Sequence, residues 1–260
     1  MTIAYDGGKF HGFAENPGVV TVAGTLSAAL ARVLRHSVSL TGAGRTDAGV
    51  HAYGQVVTFD ATSGGLDLER VGRSVNRMCA PSLAVRDAVV APSGFDARFS
   101  AQWRRYRYTI LNSPTPDPLL AATTWHVDKP LDRGALRLAC DPFIGEHDFT
   151  SFCRRRRDDP DAPMARRVLA ARWDEPPGDL LRFEITANAF CHQMVRSIVG
   201  TMVDAGLGRH RAGEIMAMLR ARDRQAAGQI APPHGLCLWE VGYGDARDGA
   251  GPSIGKTPSQ

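Results

Sequence analysis

Gly42-Ala43-Gly44-Arg45-Thr46-Asp47-Ala48-Gly49-Val50-His51 is the stretch on which the reading of this chain turns. On its N-terminal side Val38 and Leu40 alternate with polar residues, and on its C-terminal side Tyr53-Gly54-Gln55-Val56-Val57-Thr58-Phe59 is rich in β-formers. The stretch therefore reads as a tight, glycine-rich turn between two strands. Two phosphate-binding signatures fail on it. In a dinucleotide G-x-G-x-x-G fingerprint begun at Gly42, Asp47 stands where the third glycine belongs. A phosphate loop begun at Gly44 reaches Gly49 in step but continues Val50-His51 instead of Lys-Thr, and the Asp47 carboxylate would repel a phosphate. Near the C-terminus, Gly251–Thr257 imitates such a loop but is one residue short. What remains is a carboxylate on a turn, flanked by an arginine and a histidine, with glycines that let another backbone or a ligand come close.

Outward from this turn the chain alternates helices and strands. Ile3–Tyr5 is a short strand. Val22, Leu26, Ala29, Leu30, Val33 and Leu34 recur at helical spacing over 21–35, and 67–78 is a second helix. Leu83–Val90 closes the set as a strand. A second set follows, with strands at Arg105–Leu111, Val168–Trp173, Leu181–Thr186 and Leu236–Val241, and helices at 131–140, 190–206 and 212–222. Two sets of similar size argue for an α+β protein with two related halves. The division drawn from the sequence is 1–94, 95–244 and a disordered tail at 245–260, where apolar periodicity stops and Gly, Pro and Ser dominate. Arg154–Arg157, followed by Asp158, Asp159 and Asp161, reads as a charged loop.

Composition sets the outer limits. At 260 residues the fold buries enough surface to need no metal or disulfide staple. A 43% hydrophobic and 22% charged chain is globular, not disordered. No apolar run is long enough to span a bilayer, and no basic-then-apolar leader opens the chain. Five cysteines, an odd number with no C-x-x-C pair, argue against a disulfide framework or a zinc site and for a reduced, cytoplasmic setting. The net charge of +4 is mild. Residues 1–100 carry 9 basic and 8 acidic side chains and 101–260 carry 22 and 19, so any nucleic-acid surface must be local.

Gly44-Arg45-Thr46-Asp47-Ala48-Gly49-Val50-His51-Ala52 resembles the signature turn of the tRNA pseudouridine synthase A family. Further stretches resemble it in the same order: Tyr5–Gly12, 95–110, 145–152, 188–200 and 234–241, so the likeness runs over about residues 3–243. The chain departs from the pattern at Ala14 and Ala23, where glutamines are expected, and in the Arg154–Arg157 run.

The resemblance implies isomerisation of uridine to pseudouridine at positions 38 to 40 of the tRNA anticodon stem-loop, with no cofactor and no metal, by a homodimer. The reaction breaks the N1–C1′ bond, rotates the uracil and rejoins it through C5, so it needs neither redox partner nor group donor. It needs a carboxylate, which can attack C1′ or C6 or stabilise a sugar cation. The resemblance gives that role to Asp47. It makes Arg196 the cation that favours the ionised carboxylate. It makes Tyr106 a stacking platform under the uracil and a candidate acceptor of the C5 proton, although a phenol with pKa about 10 is a sluggish base. Arg45 fills the gap left by the flipped base or holds a flanking phosphate, and Leu236 and Leu238 wall the uracil. Because side chains alternate along a strand, Arg105 and Arg107 should face away from Tyr106. His147 reads as a capping residue, and Cys191-His192 is no metal pair. The implied architecture is two ferredoxin-like, RRM-like halves, their antiparallel sheets joined into one with helices on one side and a basic cleft between them. The competing readings are a synthase of the same family acting on another RNA, a non-catalytic RNA-binding or chaperone protein on this scaffold, and a nucleotide-dependent enzyme, which the failed phosphate signatures disfavour.

Overall fold

The computed structural model describes residues 1–61, 65–155 and 161–244, and within them the chain forms two compact α+β units. The first is Met1–Gln102 together with the chain from Leu238, and the second is Trp103–Cys237. The sequence division at 94/95 therefore falls short of the observed one: residues 95–102 pack with the first unit, as does the last strand. The tail at 245–260 and Arg156 and Arg157 lie outside the described residues.

In the first unit the order is β1 (Thr2–Tyr5), α1 (Val22–Leu34), β2 (Thr41–Gly42), β3 (His51–Thr58), α2 (Leu68–Cys79) and β4 (Leu83–Asp87). β1 lies antiparallel between β4 and β3, and β2 pairs with β3. α1 starts where the Thr21 hydroxyl accepts the Gly24 amide and stops at Arg35, whose φ of +62° is left-handed. It buries Val22, Leu26, Ala29 and Leu30, each large side chain contributing about 1.5–3 kcal/mol. α2 is capped by Asp67, packs beside α1, and is tied to β4 by Asn76, whose amide donates to Val85 O and whose oxygen accepts from Val85 N. Val38–Leu40 is not strand: only Thr41 and Gly42 reach β3 before the chain turns. β4 ends at Asp87 instead of Val90, which is exposed and has no strand beside it.

The second unit holds β5 (Trp103–Asn112), β6 (Trp125–Val127), α3 (Arg133–Leu138), β7 (Gly145–Asp148), β8 (Ala165–Asp174), β9 (Leu180–Ala187), α4 (Met194–Gly206) and α5 (Ile215–Ala221). Its strands run β5-β9-β8-β7, all antiparallel, with β6 parallel to β5. The last strand, β10 (Leu236–Gly242), starts in this unit and from Leu238 lies beside β3 in the first. α4 is buried almost all round, which its apolar sequence requires.

Four further differences from the sequence reading have identifiable causes. β6 and β7 are three and four residues long, too short for periodicity to show. α4 begins at Met194 and not at 190, because Gln193 takes φ +65°. His147 lies on β7, not at a helix cap, with Nε2 3.0 Å from Ile144 O. The expectation of unpaired cysteines is overturned at Cys153 and Cys191, which form a disulfide with Cα atoms 5.9 Å apart. These cysteines are 38 residues apart and meet only because the fold brings the turn after Phe152 to the start of α4, which neither parity nor short-range spacing registers. Cysteine usage therefore carries no argument about compartment.

Candidate active site

The Asp47 turn is built mainly from backbone. Val50 N donates to Asp47 O at 3.1 Å, closing a β-turn in which Gly49 takes φ +79°, a region that disfavours side chains. The segment Tyr5–Phe13, noted in the sequence only as a motif, clamps this turn from outside. The Tyr5 hydroxyl lies 2.7 Å from the Thr46 hydroxyl, and Phe13 N donates to Thr46 O. Gly7 N donates to His51 Nδ1, which is also 3.2 Å from the Asp6 carboxylate. A Cβ at Gly7 would stand 2.1 Å from Val50 O, so only glycine lets the two segments lie this close. On the other side the buried Gln55 amide donates to Gly44 O. Thr46 is thus buried, Asp47 half-buried and Arg45 exposed. Leu238, fully buried on β10, belongs to this same unit. The holders Tyr5, Gly7, Thr46 and Gln55 escaped the sequence reading, although the recurring Tyr5–Gly12 stretch was the signal for two of them.

Tyr106, Arg196 and Leu236 lie in the second unit. Tyr106 is buried on β5, with its ring edge-on to Phe190 at 5.0 Å. Arg105 and Arg107 take the opposite face, as the alternation predicts. There Arg107 Nε meets Glu184 at 2.8 Å and Arg105 Nε meets Thr186 Oγ1 at 3.3 Å. Arg196 occupies the first turn of α4 and is latched twice to the segment that leads to β10. Its Nε donates to Ala231 O at 2.8 Å, and Ala231 N donates back to its backbone oxygen. Tyr108, two residues from Tyr106, donates its hydroxyl to Pro232 O at 2.8 Å. Burial pushes the Tyr108 phenol well above its ordinary range, and the positive charge of Arg196 opposes that. Leu236 is buried at the head of β10. Among the described residues no group of three or more His, Cys, Asp or Glu is placed to share a metal ion.

A family model described as tRNA pseudouridine synthase matches residues 1–100 and 139–244. The tRNA pseudouridine synthase A of Bacillus subtilis is 41% identical over 245 residues, covering 93% of this chain and 97% of its own. The protein of the same name from Leifsonia xyli is 40% identical over 263 residues, covering 94% and 90%. Among solved structures, a chain of a Cbf5-Nop10-Gar1 complex aligns at 12% identity and a TM-score of 0.38, over 93% of this chain and 49% of that one, which is too distant to carry an argument.

Proposed function

The chain belongs to the tRNA pseudouridine synthase family, and on that premise we propose that it isomerises uridine at positions 38 to 40 of the tRNA anticodon stem-loop, with Asp47 as nucleophile and no cofactor. The fold supports this at the level of topology. The first unit runs βαββαβ with β4-β1-β3-β2 pairing, the ferredoxin-like order, and the second repeats β5-α3-β8-β9-α4 before β10. The observation that carries the proposal is the Asp47 turn. Gly44, Thr46 and Val50 around the carboxylate are held by backbone, amide or buried hydroxyl bonds, so the half-buried side chain is carried at a fixed place.

In the reaction the N1–C1′ bond breaks, uracil turns, C5 bonds to C1′, the C5 proton leaves and N1 takes one up. Atoms balance and nothing is oxidised or reduced. Asp47 supplies the electron pair for attack or shields the sugar cation. Tyr106 stacks under the uracil, Leu236 and Leu238 wall it, Arg196 favours the ionised carboxylate, and Arg45 meets the RNA where the base has left the stack. The working assembly is a homodimer.

The test is incubation of the purified protein, in excess chelator, with transcribed tRNA carrying tritium at uridine C5, followed by mapping of pseudouridine. Tritium release with pseudouridine at 38, 39 or 40 is the expected result. Modification only at other positions, or only in an RNA other than tRNA, overturns the site assignment. Release that stops with chelator and returns with a divalent ion overturns the cofactor-free mechanism.

A further inference from the structure

Phe99 is 81% exposed, yet the loop that carries it is firmly built. The Asp96 carboxylate accepts the amides of Arg98 at 2.7 Å and Phe99 at 2.8 Å, and Ser100 closes the loop on Asp96 through both its hydroxyl and its amide. The middle of the loop is anchored below. Ala97 N donates to Thr58 Oγ1, Ala97 O accepts the Tyr243 hydroxyl, and Phe95 packs its ring on Tyr243 with centroids 4.7 Å apart. Fully buried Ala97 shares a small apolar cluster with Ala43 and Val56. Ala43 opens the stretch that leads through Arg45 to Asp47, so the Phe99 loop and the Asp47 turn stand on one footing within the first unit.

A fold that fixes a phenylalanine and leaves its ring in water has not used that ring for its core. The Phe99 surroundings do not make an apolar interface either. Arg98 and Ser100 flank it in the chain, and a stable protein–protein contact buries about 800 Å² per partner, several times what one aromatic ring supplies. The Arg98 guanidinium lies 5.3 Å from the ring centroid. An exposed aromatic face beside a cation matches the chemistry of a nucleobase with its phosphate.

We propose that Phe99, with Arg98 beside it, is a stacking platform for an unpaired nucleobase of the RNA substrate, a contact outside the uridine pocket that fixes the RNA relative to Asp47. The inference rests on the reading of the protein as an RNA-modifying enzyme and adds a positioning residue to it.

The experiment compares Phe99→Ala, Phe99→Leu and Phe99→Tyr in the full chain. The readouts are Kd for an anticodon stem-loop RNA and for a blunt duplex of equal length, steady-state kinetics on tRNA, and mass in solution. Loss of one base stack predicts a Kd and KM raised about tenfold for Phe99→Ala and Phe99→Leu on loop RNA, with the loss falling on KM and not on kcat. Phe99→Tyr restores binding to within about twofold, because it keeps the ring. Equal affinities in all variants, equal losses on loop and duplex RNA, or rescue by leucine as good as by tyrosine each overturn the platform. A change of mass with Phe99→Ala assigns the ring to a contact between copies and also overturns it. A wild-type protein that forms no pseudouridine, while Phe99→Ala still weakens loop binding, sinks the functional reading and leaves the contact standing.

Discussion

In the first unit Asp47 rides on a turn whose rigidity comes from backbone bonds and one hydroxyl pair. In the second, Tyr106 sits inside a strand buried against Phe190, and Arg196 grows from a helix buried nearly all round. The contrast separates two ways of holding a chemical group. A turn displays its side chain while the side chain contributes little to the core. A group on a packed strand or helix is part of the core and cannot be altered without disturbing it. The same contrast decides which substitutions should touch activity alone and which should touch stability as well.

The largest effect is expected at Asp47. Asp47→Asn keeps the shape and removes the ionised oxygen, so tritium release from labelled tRNA should fall at least a thousandfold, roughly the scale at which a nucleophile is lost. Because Asp47 is half-buried and the amide keeps its shape, stability should move by about 1 kcal/mol or less. Residual turnover within tenfold of wild type would remove Asp47 from the chemistry. A large drop in the urea midpoint would break the contrast from the other side.

Gly200→Ala tests the packed side. A Cβ there would stand 1.8 Å from Gln229 O and 3.2 Å from Ala231 N, in the segment to which Arg196 is latched. α4 and that segment must separate. The expected cost is about 1–3 kcal/mol of stability from overpacking, together with a fall in kcat as Arg196 loses its anchor. Thermal unfolding and single-turnover kinetics measure the two together. An alanine variant with wild-type stability and rate would mean that the segment moves freely and that α4 does not position Arg196.

The contrast also explains what could be read from the sequence. Helix α1 and strand β5 announce themselves by period, because each turns one apolar face to a core, and β3 shows by its run of β-formers. Asp47 is legible because a turn writes its geometry in glycines. The holders of that turn are not legible, because Tyr5, Gly7 and Gln55 act across the chain: Tyr5 reaches Thr46 over 41 residues. The start of α4 was misplaced for a related reason. Phe190 continues the apolar period into a stretch whose backbone is fixed by Gln193 and by the Cys153–Cys191 bridge.

A smaller effect is expected at Tyr5. Tyr5→Phe removes the hydroxyl facing Thr46, which is 7% exposed, and leaves one buried hydroxyl short of a partner. The cost should be about 1 kcal/mol, with a several-fold loss of kcat because the turn loosens. An equal loss of stability with kcat untouched would show that the turn does not depend on this bond, and it would be held by its amides alone.

The smallest effect sharpens the contrast by comparing two carboxylates. Asp148, at the end of β7, is bound up in structure: Oδ1 accepts the Thr150 amide at 2.9 Å and hydroxyl at 2.6 Å, and Oδ2 lies 3.1 Å from Arg222 Nε. Partial burial alone would raise its pKa, but the Thr150 bonds and the charges of Arg222 and Arg155 together outweigh that, and the carboxyl is held below the ordinary range. In the unfolded chain it titrates near 3.9, so between the two values the unfolded state binds more protons. The stabilisation is therefore complete above the unfolded value and is lost as pH falls through the folded one. Arg222 is mostly exposed, which keeps the magnitude near that of a surface pair backed by the two local Thr150 bonds, about 0.5–1 kcal/mol at pH 7. Urea titrations of wild type and Asp148→Asn at pH 7, 5, 4 and 3 should show a difference that is constant down to about pH 5 and shrinks below pH 4. A difference that holds steady to pH 3 would mean that the asparagine amide fails for reasons of shape and not of charge. Asp148 would then no longer serve as the structural carboxylate against which the role proposed for Asp47 is measured.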